Sequence, residues 1–188
     1  MQNKNNNKAG FTIIETMIAV ALFLIIITVG IGSLLNTTLF QQKSENMRSI
    51  MDNVSFIMED ISRNLRTGYD YHCSSDLLNL GIPSSCASGR VIAFKSNTGA
   101  QWVYKLESSD GGFTYNMSKS VNDGASWTQL NPSEISFDSA SNFSVIGAES
   151  GDNKQPFATT KFIGEITYKG VLTPFSLQTS VSQRLIDI

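Results

Sequence analysis

The 188-residue chain reads as an α+β protein in which a long N-terminal helix packs against an antiparallel β-sheet. Three patterns carry that reading: an apolar run from Phe11 to Leu35, a helical stripe over Met47 to Leu65, and alternating apolar positions from Arg90 onward. A helix striped on one face and a sheet apolar on one face bury both surfaces by packing together. The expected layout is a polar leader over 1–10, a membrane-length helix over 11–35, an amphipathic arm over 36–67 and a β-rich domain over 68–188.

The Asn-rich leader carries Lys4 and Lys8 and has no apolar surface to bury, so it lies outside the fold. Phe11 to Leu35 would measure roughly 37 Å as helix, against about 30 Å of hydrocarbon. The run is long enough to span a bilayer. The two lysines favour a cytoplasmic N-terminus, which puts everything after Leu35 outside. An ordinary secretory signal places its small-residue cleavage point after the apolar core. Here Ala9-Gly10 precedes the core, so a cut there leaves the hydrophobic helix on the product.

Glu15 is the only ionisable residue in the run. A carboxylate at membrane depth costs about 2.5–3.5 kcal/mol on insertion scales, which favours its retention for a partner. The competing reading is a plain signal-anchor whose Glu15 lies close enough to the cytoplasmic face to snorkel. Gly30 and Gly32 either soften the span or permit close helix approach; the residues alone support both.

The segment Gly10-Phe11-Thr12-Ile13-Ile14-Glu15 closely resembles the class III signal of type IV pilins and type II secretion pseudopilins. The resemblance implies cleavage between Gly10 and Phe11 by a prepilin peptidase, N-methylation of Phe11, and pairing of Glu15 with the Phe11 amine of a neighbouring subunit during assembly. It also implies the pilin-like fold class, other pilin or pseudopilin subunits and an inner-membrane assembly platform as partners, and passage from the inner membrane into a surface or periplasmic filament. Beyond Leu35 the likeness loosens, and the stretch Met58-Glu59-Asp60-Ile61 to Arg66 is similar to the arm of J-type minor pseudopilins.

Within the arm, Met47, Ile50, Met51, Val54, Ile57, Met58, Ile61 and Leu65 draw one apolar stripe. Arg48, Asp52, Glu59 and Arg63 mark the opposite face, with Glu59 and Arg63 in favourable i, i+4 order. Arg63 and Arg66 suit the carbonyl end of the helix, and Gly68 is the expected left-handed cap after Thr67. Adjacent Glu59 and Asp60 read as part of a solvated face rather than a catalytic pair.

Tyr69 to Gly89 reads as a polar loop holding Cys73 and Cys86. In an oxidising exterior these two are expected to pair, closing a loop worth roughly 3 kcal/mol in the chain-entropy model. Two cysteines and the lone His72 leave a four-ligand metal set incomplete.

Strands are expected over Arg90–Lys95, Gln101–Leu106, Gly112–Met117, Ile135–Asp138, Phe143–Ile146, Lys161–Lys169 and Phe175–Val181. Trp102, Tyr104 and Leu106 alternate, as do Phe113, Tyr115 and Met117, then Phe162, Gly164, Ile166 and Tyr168, and Phe175, Leu177, Thr179 and Val181. Asn97-Thr98-Gly99 and Asp110-Gly111-Gly112 supply turns.

Charge argues against nucleic acid: 14 Lys and Arg face 16 Asp and Glu, with no basic block. Catalysis has little to stand on. No Gly-x-Ser-x-Gly, P-loop or dinucleotide motif occurs, and a Cys73–His72 nucleophile would require an unpaired thiol. Asp110, Asp123 and Asp152 are too scattered for a calcium loop, and no cofactor is indicated. Ser120 to Trp127 resembles a single Asp-box hairpin with Asn122 replacing the usual Asp. Such boxes are structural turns, although Trp127 leaves a glycan-binding, non-polymerising domain as the rival function.

Overall fold

The computed structural model describes residues 10–151, 154–168 and 170–184. Lys4, Lys8 and Ala9 of the leader, and Asp152, lie outside the described residues. The chain divides into two compact units between Asn46 and Met47. Helix α1 runs over Ile13–Thr67.

In the first unit the helix is long and apolar enough to cross a membrane, with a mean hydropathy of 2.8 over its most apolar stretch. Every side chain from Phe11 to Leu35 is exposed in the single chain, as expected of a surface built for lipid or for other helices. Two of its hydroxyls are satisfied within the helix: Thr16 Oγ1 donates to the Ile13 carbonyl (2.8 Å) and Thr28 Oγ1 to that of Leu24 (2.7 Å). The helix continues unbroken through Gly30 and Gly32, where an added Cβ would meet only open space.

The second unit contains the rest of α1 and ten strands: β1 Tyr69–Ser74, β2 Cys86–Gly89, β3 Val91–Lys95, β4 Gln101–Ser108, β5 Thr114–Ser120, β6 Thr128–Gln129, β7 Ile135–Asp138, β8 Asn142–Ile146, β9 Phe157–Tyr168 and β10 Val171–Ser182. All the strand pairs are antiparallel. The path runs β1-β3-β4-β5-β7-β9-β8-β2. Since β10 pairs β9 along its whole length, β7 and β8 must share the other edge of β9, Ile135–Phe137 against Gly164–Ile166 and Asn142–Ile146 against Phe157–Lys161.

The expected arm stripe forms the floor of the core: Ile50, Val54, Ile57, Met58, Ile61 and Leu65 are all buried. Against them lie Tyr71, Ile92, Phe94, Tyr104, Met117, Phe137, Phe143, Phe162 and Phe175. Phe94 stacks on Tyr104 with centroids 6.1 Å apart, and Phe137 meets Phe162 at 4.9 Å. A smaller cluster, Val91, Ala93 and Val103, is covered by Leu80 and Trp127. That second cover explains why Val91–Phe94 is buried at every position rather than at alternate ones.

Three expectations are corrected. Tyr69 to Gly89 is not simply a polar loop, because its ends are β1 and β2. Tyr71, His72 and Cys73 are buried in succession, so pairing with β3 outweighs a composition of Asp, His and Ser. Gly68 is not a left-handed cap. Positive φ occurs instead at Asp70 (φ 55°), and Gly68 is required because the Phe94 ring occupies the place of a Cβ. Phe113 lies before β5 and is 81% exposed, so the buried alternation there starts at Tyr115.

Candidate functional site

The N-terminal segment is built around Thr12. Its carbonyl accepts from the Glu15 and Thr16 amides (3.1 and 3.2 Å), and its Oγ1 accepts from the Glu15 amide at 3.3 Å. Thr12 is therefore the N-cap of α1, with Glu15 in the first turn where a carboxylate suits the positive end of the helix dipole. The pattern Thr-x-x-Glu ahead of an apolar run was a sequence signal for this cap. Gly10 and Phe11 precede the helix, and both are exposed. A backbone that lies outside the helix and is uncovered at Gly10-Phe11 is the form a peptidase can enter. Phe11 and Glu15 thus sit at the head of one apolar helix, on either side of its cap.

Cys73 and Cys86 are joined as a disulfide, with Cα atoms 5.4 Å apart and a sequence separation of 13. The bond connects β1 to β2, the two ends of the strand path. Beside it the Cys73 amide donates to the Ser84 carbonyl (2.9 Å) and the Ser84 amide to that of Tyr71 (3.0 Å). Gly89 makes room for the bond, since a Cβ there would lie 2.8 Å from Cys73 Sγ and 2.9 Å from Cys86 Sγ. With Cys73 bonded, the Cys–His nucleophile is not formed. His72 Nδ1 instead lies 2.6 Å from the Ile82 carbonyl.

A polar group that the sequence reading missed lies where the arm meets the sheet. Asp60 accepts hydrogen bonds from Tyr104 Oη (2.8 Å) and Lys119 Nζ (2.9 Å) at Oδ2, and from Asn64 Nδ2 (3.0 Å) at Oδ1. Asn64 also donates to Tyr104 Oη at 2.9 Å. Lys119 Nζ lies 4.5 Å from the Trp102 ring centroid and 5.3 Å from that of Tyr104. Desolvation pushes the Asp60 carboxyl up, but the Lys119, Tyr104 and Asn64 bonds and the Lys119 charge outweigh it and hold Asp60 below the usual carboxylate range. Burial pushes the Tyr104 phenol well above its ordinary value. The expected solvated Glu59–Asp60 face is thus corrected for Asp60, whose side chain is only 18% exposed. The expected Glu59–Arg63 pair is corrected too: Arg63 Nη2 approaches Asp60 Oδ1 at 3.8 Å. The i, i+4 spacing of Asp60 and Asn64 placed both on the sheet-facing flank, but their partners come from strands far along the chain.

The hairpin tip between β5 and β6 is held by Asn122, whose Oδ1 accepts from the Ser126 amide (3.0 Å) and Ser120 Oγ (2.8 Å). Asp123 occupies a left-handed turn position (φ 60°). Trp127 folds back, with Lys105 Nζ 4.0 Å over its ring. Asp110 Oδ1 caps the Phe113 and Thr114 amides (3.1 and 2.7 Å), which uses the carboxylate in its own turn. Among the described residues no group of three or more His, Cys, Asp or Glu side chains converges as a metal site.

Residues 5–31 match the family model described as the prokaryotic N-terminal methylation motif. No curated protein and no solved structure matches the chain. The match covers Gly10, Phe11, Thr12 and Glu15 and most of the apolar run. It supports an N-terminal signal of the kind carried by the pilin and pseudopilin family and suggests membrane anchoring through the apolar helix.

Proposed function

We propose that this chain is a minor structural subunit of a type IV pilus or of a type II secretion-like pseudopilus. In this reading prepilin peptidase removes residues 1–10 by cutting between Gly10 and Phe11, and the Phe11 amine is methylated. Residues 11–35 hold the subunit in the inner membrane, N-terminus inside, until an assembly platform draws them into a filament of similar helices. Residues 36–67 form the arm, and 68–188 form the extracytoplasmic domain braced by Cys73–Cys86. Minor status rests on the likeness of the Met58–Arg66 stretch to J-type arms.

The observation that carries the proposal is the methylation-motif match over residues 5–31, with Gly10-Phe11 at the head of an apolar helix. Glu15 supplies the assembly step. Once the chain starts at Phe11 with a cationic amine, a carboxylate in the next turn offers that amine of a neighbour a defined counter-charge in low dielectric. Mass spectrometry of the mature N-terminus tests the reading. Methyl-Phe11 is expected; an intact Met1, or cleavage after the apolar run near Gly32 or Ser33, refutes it.

A further inference from the structure

Strand β10 is a twelve-residue edge strand, paired with β9 from Val171↔Tyr168 to Ser182↔Phe157 without a register shift. Its other edge pairs with no strand among the described residues. Exposed edges are ordinarily blunted by charged side chains, bulges or proline, because their free amides and carbonyls recruit other strands. Here Val171–Ser182 contains no charged residue, and Pro174 lies toward its beginning, so Phe175 to Ser182 remains open to pairing.

Alongside this edge runs a groove of about 330 Å³ between β10 and α1, lined by Ser55, Met58, Glu59 and Ser62 and by Leu177, Gln178 and Thr179. Met58 and Leu177 make its apolar floor, and Ser62 Oγ reaches Thr179 Oγ1 at 3.5 Å across it. Glu59 is exposed and has no ion pair among the described residues, since Arg63 turns to Asp60 instead. The groove therefore offers free backbone groups, an apolar floor and one uncompensated negative charge.

We infer that this groove binds an extended segment of a partner protein by strand addition to β10, with an apolar side chain on Met58 and Leu177 and a neighbouring Lys or Arg on Glu59. A strand added about 4.8 Å from β10 turns alternate side chains into the space beside the helix. The charge selects the occupant. A second copy of β10 would bring no cation to Glu59, because β10 has none. The site belongs to the second unit and holds whether or not the chain polymerises.

The test uses the full chain in lipid nanodiscs and the fluorescein-labelled peptide Ser-Val-Ser-Lys-Ser-Val-Ser, acetylated and amidated, read by anisotropy. Saturable binding is expected, weakened about fivefold when the peptide's Lys becomes Glu. Glu59→Lys, an exposed substitution, should reverse that preference. Methylating the amides of the Val-Lys-Val set or of the Ser set should abolish binding for one set and spare it for the other, because only one set faces β10. Absence of saturable binding, equal affinity for the Lys and Glu peptides, or indifference to both methylated sets overturns the inference. Self-association of the chain that the peptide competes away overturns the chosen occupant in favour of a second copy.

Discussion

Removing the charge of Asp60 should weaken the clamp between arm and sheet. In Asp60→Asn the shape is kept, but one acceptor oxygen replaces two, so either Asn64 at Oδ1 or Tyr104 and Lys119 at Oδ2 lose their acceptor, and Lys119 loses the negative charge 2.9 Å from its Nζ. Breaking one half of a buried pair costs about 3–5 kcal/mol, and a hydrogen bond to a charged group contributes about 1.5–3 kcal/mol. The Asp60 and Lys119 side chains are 18% and 17% exposed, and the Trp102 and Tyr104 rings still face the ammonium. Together these bring the expected loss to about 2 kcal/mol, or about 1 M in urea midpoint. Urea unfolding of the full chain followed by tryptophan fluorescence measures it, with Trp102 as a neighbouring reporter. Lys119→Met added to Asp60→Asn should recover part of the loss, because the stranded cation is gone. The folded-state pKa of Asp60 is depressed. Its contribution is therefore complete above the unfolded value near 3.9 and is lost as pH falls through the lower folded value. Asp60→Asn should accordingly show a smaller loss of stability on acidification below about pH 4. A loss under about 0.5 kcal/mol, or a double variant equal to the sum of the singles, would refute the clamp.

Gly68→Ala should cost about 1–3 kcal/mol through overpacking against Phe94, visible as a lower thermal midpoint; an unchanged midpoint means the ring moves aside freely. Cys73→Ser should lower stability by about 3 kcal/mol and render Cys86 alkylatable in unreduced, unfolded protein, whereas two alkylatable thiols in the parent protein would rule out the bond. Glu15→Leu should leave processing and membrane insertion near normal but sharply lower the ratio of sheared-filament to membrane-retained protein at matched expression. An unchanged ratio would make Glu15 a bystander.

Local patterns made much of the architecture legible. The 3.6-residue period of Met47–Leu65 places the same side chains in the core that packing buries, and Thr67 ends the helix in both readings. Ile135–Asp138 matches its strand end for end, Lys161–Lys169 falls on the second part of β9 up to Tyr168, with Lys169 outside the described residues, and Phe175–Val181 finds the core of the longer β10. These signals are local because backbone geometry alone sets the periods of helix and strand.

What the chain alone determined is the order of its parts: an apolar helix headed by Gly10, Phe11 and Glu15, a striped arm, then alternating strands. It also supplied two cysteines with one available partner each. Only the tertiary structure decided that this bond joins the two ends of a strand path, that Gly68 and Gly89 are close-approach glycines, and that Asp60 turns from solvent toward Lys119 and Tyr104. The Asp60 cluster depends on groups 44 and 59 residues apart meeting in space. A carboxylate's environment is set by whichever strand the fold brings beside it, and no periodicity along the helix encodes that neighbour.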